Sequence, residues 1–151
     1  MPNFAAMSRI IAIDYGRKRT GIAVTDPAQI IANGLTTVAT SELLPFLTDY
    51  LKREAVERIV VGLPVQTDGT ASENQQRVRA FVRRFSQAHP DVPVDYCDER
   101  FTSVLAHRAM IDGGLRRSER QNKALVDEIS ATIILQSYME ARRTQTKTTP
   151  L

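Results

Sequence analysis

The sequence predicts an α/β fold, in which a mixed sheet carries helices on both faces. Three short apolar segments joined by turns come first, and further apolar segments then alternate with segments of helical periodicity. Strands joined by short turns pair antiparallel, whereas strands joined through a helix pair in parallel. We therefore expect the first, fourth and fifth strands to be parallel neighbours. Their carboxyl ends then share the edge at which ligands bind in open α/β sheets.

Length and composition fit one domain covering residues 1–151. Hydrophobic residues make up 42% of the chain and charged residues 25%, with a formal net charge of +3. A charge this small means that a nucleic-acid site must come from clustered cations. Cys97 is the only cysteine, which excludes an internal disulfide and a cysteine-based zinc site.

The expected location is the cytoplasm. Residues 1–8 lack the basic and apolar segments of a signal peptide. Apolar runs also stay shorter than the roughly 20 residues that cross a bilayer. We expect residues 1–8 and 143–151 to be flexible tails.

The elements follow from apolar periodicity and from turn residues. An antiparallel meander is predicted first, with strands at about 9–15, 20–26 and 35–38, the last following the turn signal Asn33-Gly34. Helices are predicted at about 40–54, 72–88, 102–113 and 118–142, and strands at about 58–64 and 94–99. Capping boxes at Ser72 and Ser118 mark two of the helix starts.

A carboxylate ends the first strand beside a basic turn. Asp14 follows four apolar residues, and burying a bare carboxylate costs several kcal/mol, so it must be solvated, paired or bound to a metal. A turn-forming aspartate is an equally good interpretation of this residue alone. The turn holds Arg17, Lys18 and Arg19. Gly16 and Gly21 flank these cations and allow either close approach of the backbone to a ligand or positive φ in the turn.

Two further acids can join Asp14 at this edge. Glu99 ends the fifth strand, and Asp127 lies in an apolar helix, where its alternatives are an exposed position or a pair with Lys123. Three converging carboxylates require a hard cation such as Mg²⁺ or Mn²⁺. Asp98 is the rival of Glu99. Alternation puts these two on opposite faces, so only one can join Asp14.

Five segments in a fixed order carry a family resemblance. They are IDYGRKRTGIAV at 13–24, VGLP at 61–64, DGT at 68–70, DERFTS at 98–103, and Lys123 and Asp127 followed by ILQSY at 134–138. With these motifs, the chain over about residues 9–140 resembles the YqgF/RuvX family, bacterial nucleases of pre-16S rRNA in the ribonuclease H-like superfamily. Phe101 stands where leucine is more usual, and Ser130-Ala131 replaces the commoner Ala-Ala.

The resemblance implies a ribonuclease H-like three-layer fold with a five-stranded sheet of order 3-2-1-4-5, in which strand 2 is antiparallel. It assigns Asp14, Glu99 and Asp127 as catalytic, metal-binding acids, and it favours Glu99 over Asp98. The implied nucleic-acid contacts are Arg17, Lys18, Arg19, Arg100 and Lys123. Two Mg²⁺ or Mn²⁺ ions, roughly 3.5–4 Å apart, are the implied cofactors.

The implied activity is metal-dependent endonuclease hydrolysis of structured nucleic acid, maturing the 5′ end of pre-16S rRNA in ribosome biogenesis. The alternative is a Holliday-junction resolvase acting in DNA recombination and repair, which requires a dimer. An actin-like nucleotide-binding module is disfavoured, because that class uses two such domains.

The implied partners are precursor rRNA or branched DNA, together with ribosomal particles. We expect a monomer or weak homodimer that does not contact membranes. Related nucleases sometimes use a histidine near their metals, but we interpret His107 as an exposed helical residue and His89 as a surface residue.

Overall fold

The computed structural model describes residues 7–64, 73–98 and 123–148. Its elements are β1 Arg9–Tyr15, β2 Arg19–Thr25, β3 Ala32–Ala39, α1 Leu43–Arg53, β4 Val56–Leu63, α2 Glu73–Ala88, β5 Val94–Asp98 and α3 Lys123–Thr148. A 3₁₀ turn, Thr40–Glu42, leads into α1. Within these ranges, none of the helices combines the length and hydropathy needed to cross a bilayer.

The five strands form one mixed sheet in the order β3-β2-β1-β4-β5. β2 is antiparallel to both β1 and β3, whereas β1, β4 and β5 run parallel. Ile13 of β1 lies opposite Ile22 on one side and Val61 on the other. The predicted order and directions are confirmed.

Apolar side chains on β1 point alternately to two cores. Ile11 and Ile13 pack with residues of α1 and α2 on one face, whereas Ile10 and Ala12 pack against α3 on the other. All four are at most 1% exposed. A continuous apolar run is what a strand covered on both faces requires, so β1 lies at the centre of a three-layer structure.

The turn between β2 and β3, and the start of β3, differ from the prediction. β3 begins at Ala32, because Asn33 and Gly34 pair with β2 instead of forming a turn. The chain turns earlier, where Asp26 Oδ1 accepts hydrogen bonds from the N–H groups of Ile30 and Ile31 at 2.7 Å. The turn predicted at Asn33-Gly34 was therefore wrong, because the chain turns at residues 26–31.

The last helix extends past its predicted end. α3 continues to Thr148, so the expected flexible tail is helical over 143–148. Arg142 bonds to Glu57 at 3.3 Å, and Arg143 donates to the Ile30 carbonyl at 3.2 Å, which holds the helix to the sheet beyond its predicted end. The predicted helix at 102–113 and the capping box at Ser118 lie outside the described residues.

Candidate active site

Asp14 lies near the carboxyl end of β1, on the face covered by α3. Ile10 and Ala12 pack in the α3-side core, and Asp14 shares their face because side chains alternate along a strand. It is partly buried, and its register partner on β2 is Gly21. The strand thus presents this carboxylate toward α3.

Gly21 allows the backbone of α3 to approach next to Asp14. A Cβ on residue 21 would lie 2.0 Å from the carbonyl oxygen of Asp127 and 2.3 Å from its carbonyl carbon. The helix backbone therefore rests directly on this glycine. Directly opposed residues of antiparallel strands have Cα atoms about 4.5–5.5 Å apart, so Gly21 brings Asp127 close to Asp14. The sequence predicted that this glycine allows close approach to a ligand or positive φ, whereas in the structure it allows close approach of a helix.

A cation of the basic turn holds Asp127. Arg19 Nε donates to Asp127 Oδ2 at 3.0 Å, which joins the start of β2 to α3. The two side chains are 39% and 22% exposed, so the pair is partly shielded from water but open to a ligand. The partner is thus Arg19, and not Lys123 one helical turn earlier.

Four cations surround an open cavity at this carboxylate. The cavity has a volume of about 310 Å³ and is lined by Gly16, Arg17, Lys18, Arg19, Lys123 and Asp127. Arg17, Lys18 and Lys123 are exposed. Such cations suit a nucleic-acid backbone, because phosphate contacts position the polymer without reading its sequence.

Thr40 fixes the turn that carries three of these cations. Its hydroxyl donates to the Gly16 carbonyl at 2.7 Å, which leaves the Thr20 hydroxyl to donate to it at 2.9 Å. Its N–H donates to the Lys18 carbonyl at 2.9 Å. The sequence placed Thr40 only at the start of the helix predicted at about 40–54. Its true partners are about 20 residues away along the chain, and no local pattern signals them.

The described end of β5 separates the two rival acids. Cys97 packs against the α3-side core, and Asp95 accepts a hydrogen bond from Tyr138 of α3. Asp98 lies on the opposite face by alternation, and its register partner Leu63 packs with the α1 and α2 side. Asp98 therefore does not share the face of Asp14. Glu99, Arg100 and His107 lie outside the described residues, and their roles stay predictions.

Carboxylate oxygens of the kind found here fit a hard divalent cation. Asp14 lies on the face of the sheet that α3 covers, and Asp127 lies on α3 against Gly21, the register partner of Asp14. Among the residues that the structure describes, no group of three or more His, Cys, Asp or Glu side chains lies close enough to hold a metal. The described acids fit as part of a metal site, and the third predicted ligand, Glu99, is outside the described ranges.

A second polar group, far from the cavity, fastens the other half of α3. Arg58 Nη1 donates to Asp95 Oδ2 at 2.6 Å and to the Tyr138 hydroxyl at 3.1 Å, and that hydroxyl donates to Asp95. The hydrogen bond from Tyr138 lowers the pKa of Asp95. Burial raises that pKa, and the hydrogen bond and charge of Arg58 lower it further. Burial raises the pKa of Tyr138, and Asp95 adds to that increase. Sequence reasoning missed this group, although a signal was present, since Arg58 and Asp95 are charged residues within two predicted strands.

His89 packs just after the end of α2. Its Nε2 lies 2.8 Å from the Thr48 hydroxyl, and its ring packs against Phe85 with centroids 5.1 Å apart. The residue follows α2 and joins the end of that helix to α1. It lies at the surface as a partly buried residue, and its contacts are structural.

Comparisons with known proteins identify the family. The sequence model of the RuvX family, described as Holliday junction resolvase, matches residues 8–141. A protein of Bacteroides fragilis named "Putative pre-16S rRNA nuclease" is 66% identical over 137 residues, which cover 91% of this chain and 99% of the relative. A Porphyromonas gingivalis protein of the same name is 55% identical over 134 residues, with 89% and 97% coverage.

Solved structures of resolvases share the architecture at low identity. T. thermophilus RuvC in complex with Holliday junction substrate has a TM-score of 0.54 and 15% identity, covering 90% of this chain and 96% of that one. The fowlpox virus resolvase in complex with junction DNA has a TM-score of 0.56 and 16% identity, with 89% and 98% coverage. At this identity the likeness shows the fold alone. The chain belongs to the RuvX family, has the ribonuclease H-like fold of RuvC-type proteins, and is a hydrolase of the nuclease class.

Proposed function

We propose that this protein is a metal-dependent endonuclease that processes the 5′ end of pre-16S rRNA during ribosome biogenesis. The observation that carries the proposal is the contact of Asp127 with Gly21, which brings this acid close to Asp14 beside a cavity lined by four cations. Acids beside phosphate-binding cations are suited to the hydrolysis of a phosphodiester bond. Relatives that are 53–66% identical carry the pre-16S rRNA name, which supports RNA as the substrate.

The acids and the cations have separate roles in this proposal. Asp14, Asp127 and Glu99 would hold two Mg²⁺ or Mn²⁺ ions through their carboxylate oxygens. Ions bound there would lower the pKa of the attacking water and neutralise charge at the scissile phosphate. Arg17, Lys18, Lys123 and Arg100 hold backbone phosphates on either side of the cut. The protein itself supplies no covalent nucleophile.

Glu99, and not Asp98, is the third acid in this proposal. Asp95 and Cys97 contact the α3 side of the sheet, and period-two alternation predicts the same side for position 99. Asp98 lies on the opposite face and offers a control on the same strand.

Cleavage of Holliday junctions is the second candidate, because the RuvX family model and both solved resolvases name that substrate. Those solved resolvases are only 15–16% identical to this chain. Relatives above 50% identity are named for rRNA, so we favour rRNA. A substrate on the ribosomal precursor also suits a cytoplasmic protein that acts as a monomer or weak homodimer, with ribosomal particles as partners.

The test supplies purified protein and Mg²⁺ or Mn²⁺ with precursor rRNA, in free form and in ribosomal particles, or with a four-way DNA junction. We expect cleavage of the precursor, with 5′ ends that map to the 16S region. Asp14→Asn, Glu99→Gln and Asp127→Asn should each abolish cleavage, whereas Asp98→Asn should be much milder. Cleavage of the junction alone would replace the rRNA proposal with resolution. Full activity of any of the first three variants would remove that acid from the mechanism.

A further inference from the structure

Arg19 differs from the other cations of the cavity because it is bonded to a proposed metal ligand. Its Nε donates to Asp127 Oδ2 at 3.0 Å. Arg17 and Lys18 belong to the same turn and are exposed. One cation of the turn therefore reaches the acid, while its neighbours face the space that a substrate would enter.

This contact sets two ligands in competition for one carboxylate. A guanidinium bonded to a carboxylate oxygen compensates its charge and occupies one of its lone pairs. A divalent cation at the same oxygen has to displace the guanidinium and is also repelled by it. While the pair persists, Asp127 is a weakened metal ligand.

The surroundings provide an alternative partner for Arg19. Its side chain is 39% exposed and lines the cavity together with Lys18 and Lys123. A cavity of about 310 Å³ is large enough to admit a phosphate group of a nucleic-acid backbone. The planar guanidinium binds phosphate through paired N–H donors as well as it binds a carboxylate. An incoming phosphate can thus take the guanidinium from Asp127.

We propose that Arg19 is a positioning residue that acts as a phosphate-released latch on Asp127. In the free protein it holds the carboxylate, and when a backbone phosphate binds, it turns to the phosphate and leaves Asp127 available to the metal. The inference rests on the proposed function, because it takes Asp127 as a metal ligand. Nucleic acid and divalent metal then bind cooperatively, each raising the affinity of the protein for the other by the same factor.

The test measures Mn²⁺ affinity by the electron paramagnetic resonance signal of free Mn²⁺, with and without a short RNA duplex whose integrity is checked after each titration. For the wild type we expect the duplex to raise Mn²⁺ affinity about tenfold, within the usual range of coupling. Arg19→Gln should bind Mn²⁺ about tenfold more tightly than the wild type without RNA, and the duplex should add little.

Arg17→Gln is the matched control, since it removes one cation from the same turn and leaves the Asp127 pair intact. It should weaken RNA binding and raise Mn²⁺ affinity without RNA much less than Arg19→Gln does. Equal Mn²⁺ affinities for the two variants, or wild-type coupling in Arg19→Gln, would overturn the latch. The wild type gives an independent readout. Adding RNA without metal should shift the Arg19 Nε–H resonance, and an unmoved resonance would also overturn it.

Asp127→Asn separates failure of the latch from failure of the proposed function. If Asp127 is a metal ligand, this variant loses most Mn²⁺ affinity whatever the behaviour of Arg19. Wild-type Mn²⁺ affinity in Asp127→Asn would refute the metal site, and the latch with it. A loss there, combined with no gain in Arg19→Gln, would refute the latch alone.

Discussion

Adding one methyl group at Gly21 should separate the two acids of the proposed site. The new Cβ of Gly21→Ala would lie 2.0 Å from the carbonyl oxygen of Asp127, whereas ordinary contacts begin at 3.4 Å. The helix or the strand must therefore move by the difference, roughly 1.4 Å. A misplacement of about 1 Å near reacting groups costs on the order of 100-fold in rate. Overpacking of this kind typically lowers the free energy of unfolding by about 1–3 kcal/mol.

The assay compares kcat on the RNA substrate with the thermal unfolding midpoint, using Gly34→Ala as the control. A Cβ at Gly34 would meet the side chain of Glu128, 2.5 Å from Oε1. It would also lie 2.8 Å from Cγ, so the whole Glu128 side chain must rotate, but no backbone atom is among these contacts. We therefore expect kcat to change by no more than about twofold. We expect Gly21→Ala to remain folded and to lose roughly 100-fold in kcat. Wild-type kcat and Mn²⁺ affinity in Gly21→Ala would refute the claim that this contact positions Asp127.

Three further predictions address the turn and the far end of α3. Arg17→Ala with Lys18→Ala should reduce the slope of log K against log salt by about 0.9 for each lost phosphate contact on duplex DNA. The control, Arg83→Ala with Arg84→Ala, removes two exposed cations from α2 and should leave this slope unchanged. Equal effects of the two double variants would show that only net charge matters. Thr40→Val should lower the free energy of unfolding, measured by denaturant titration, by about 1–3 kcal/mol, because the Gly16 carbonyl and the buried Thr20 hydroxyl lose a partner. An unchanged free energy of unfolding would mean that water replaces the Thr40 hydroxyl. Asp95 has a lowered pKa in the folded protein, so it stabilises the fold at pH values above its ordinary pKa of 3.8 and progressively less as the pH falls below that. Asp95→Asn should therefore lower the melting temperature clearly at pH 7 and less below about pH 4, whereas Asp49→Asn, in an exposed pair with Arg53, should have little effect at either pH.

The sheet was predictable because its signals are local. The short β-branched run at residues 10–13 is typical of a strand covered on both faces, and the connections on either side of it predicted antiparallel and parallel neighbours. The turn before β3 was not predictable in this way. Asn33-Gly34 is a strong turn signal in isolation, but the fold uses both residues as strand, and Asp26 forms the turn instead. Pairing along a whole strand outweighed the preference of two residues.

The candidate site shows a different limit. Asp14 at a strand end and Asp127 in an apolar helix each had a structural alternative when taken alone, and they became candidates only together. Their common edge followed from topology, but the partner of Asp127 did not. Arg19 lies 108 positions away along the chain, and it looked the same as its two cationic neighbours. Their side-chain contacts distinguish them. Arg19 bonds to Asp127, whereas Arg17 and Lys18 are exposed at the cavity.

Two of the contacts that position α3 on the sheet lie at the two ends of the segment 127–138. Gly21 receives the backbone at Asp127, and the Arg58 and Asp95 group holds Tyr138. Eleven residues separate these points, which is about 16 Å along a helix rising 1.5 Å per residue. Pivoting by about 4° around the Tyr138 end would move Asp127 by roughly 1 Å, a distance that already affects catalysis. Apolar packing of Ala131, Ile134 and Leu135 on the sheet holds the helix between these two points. The polar group far from the cavity adds a directional contact to this packing, and it therefore contributes to the geometry of the acids as well as to stability.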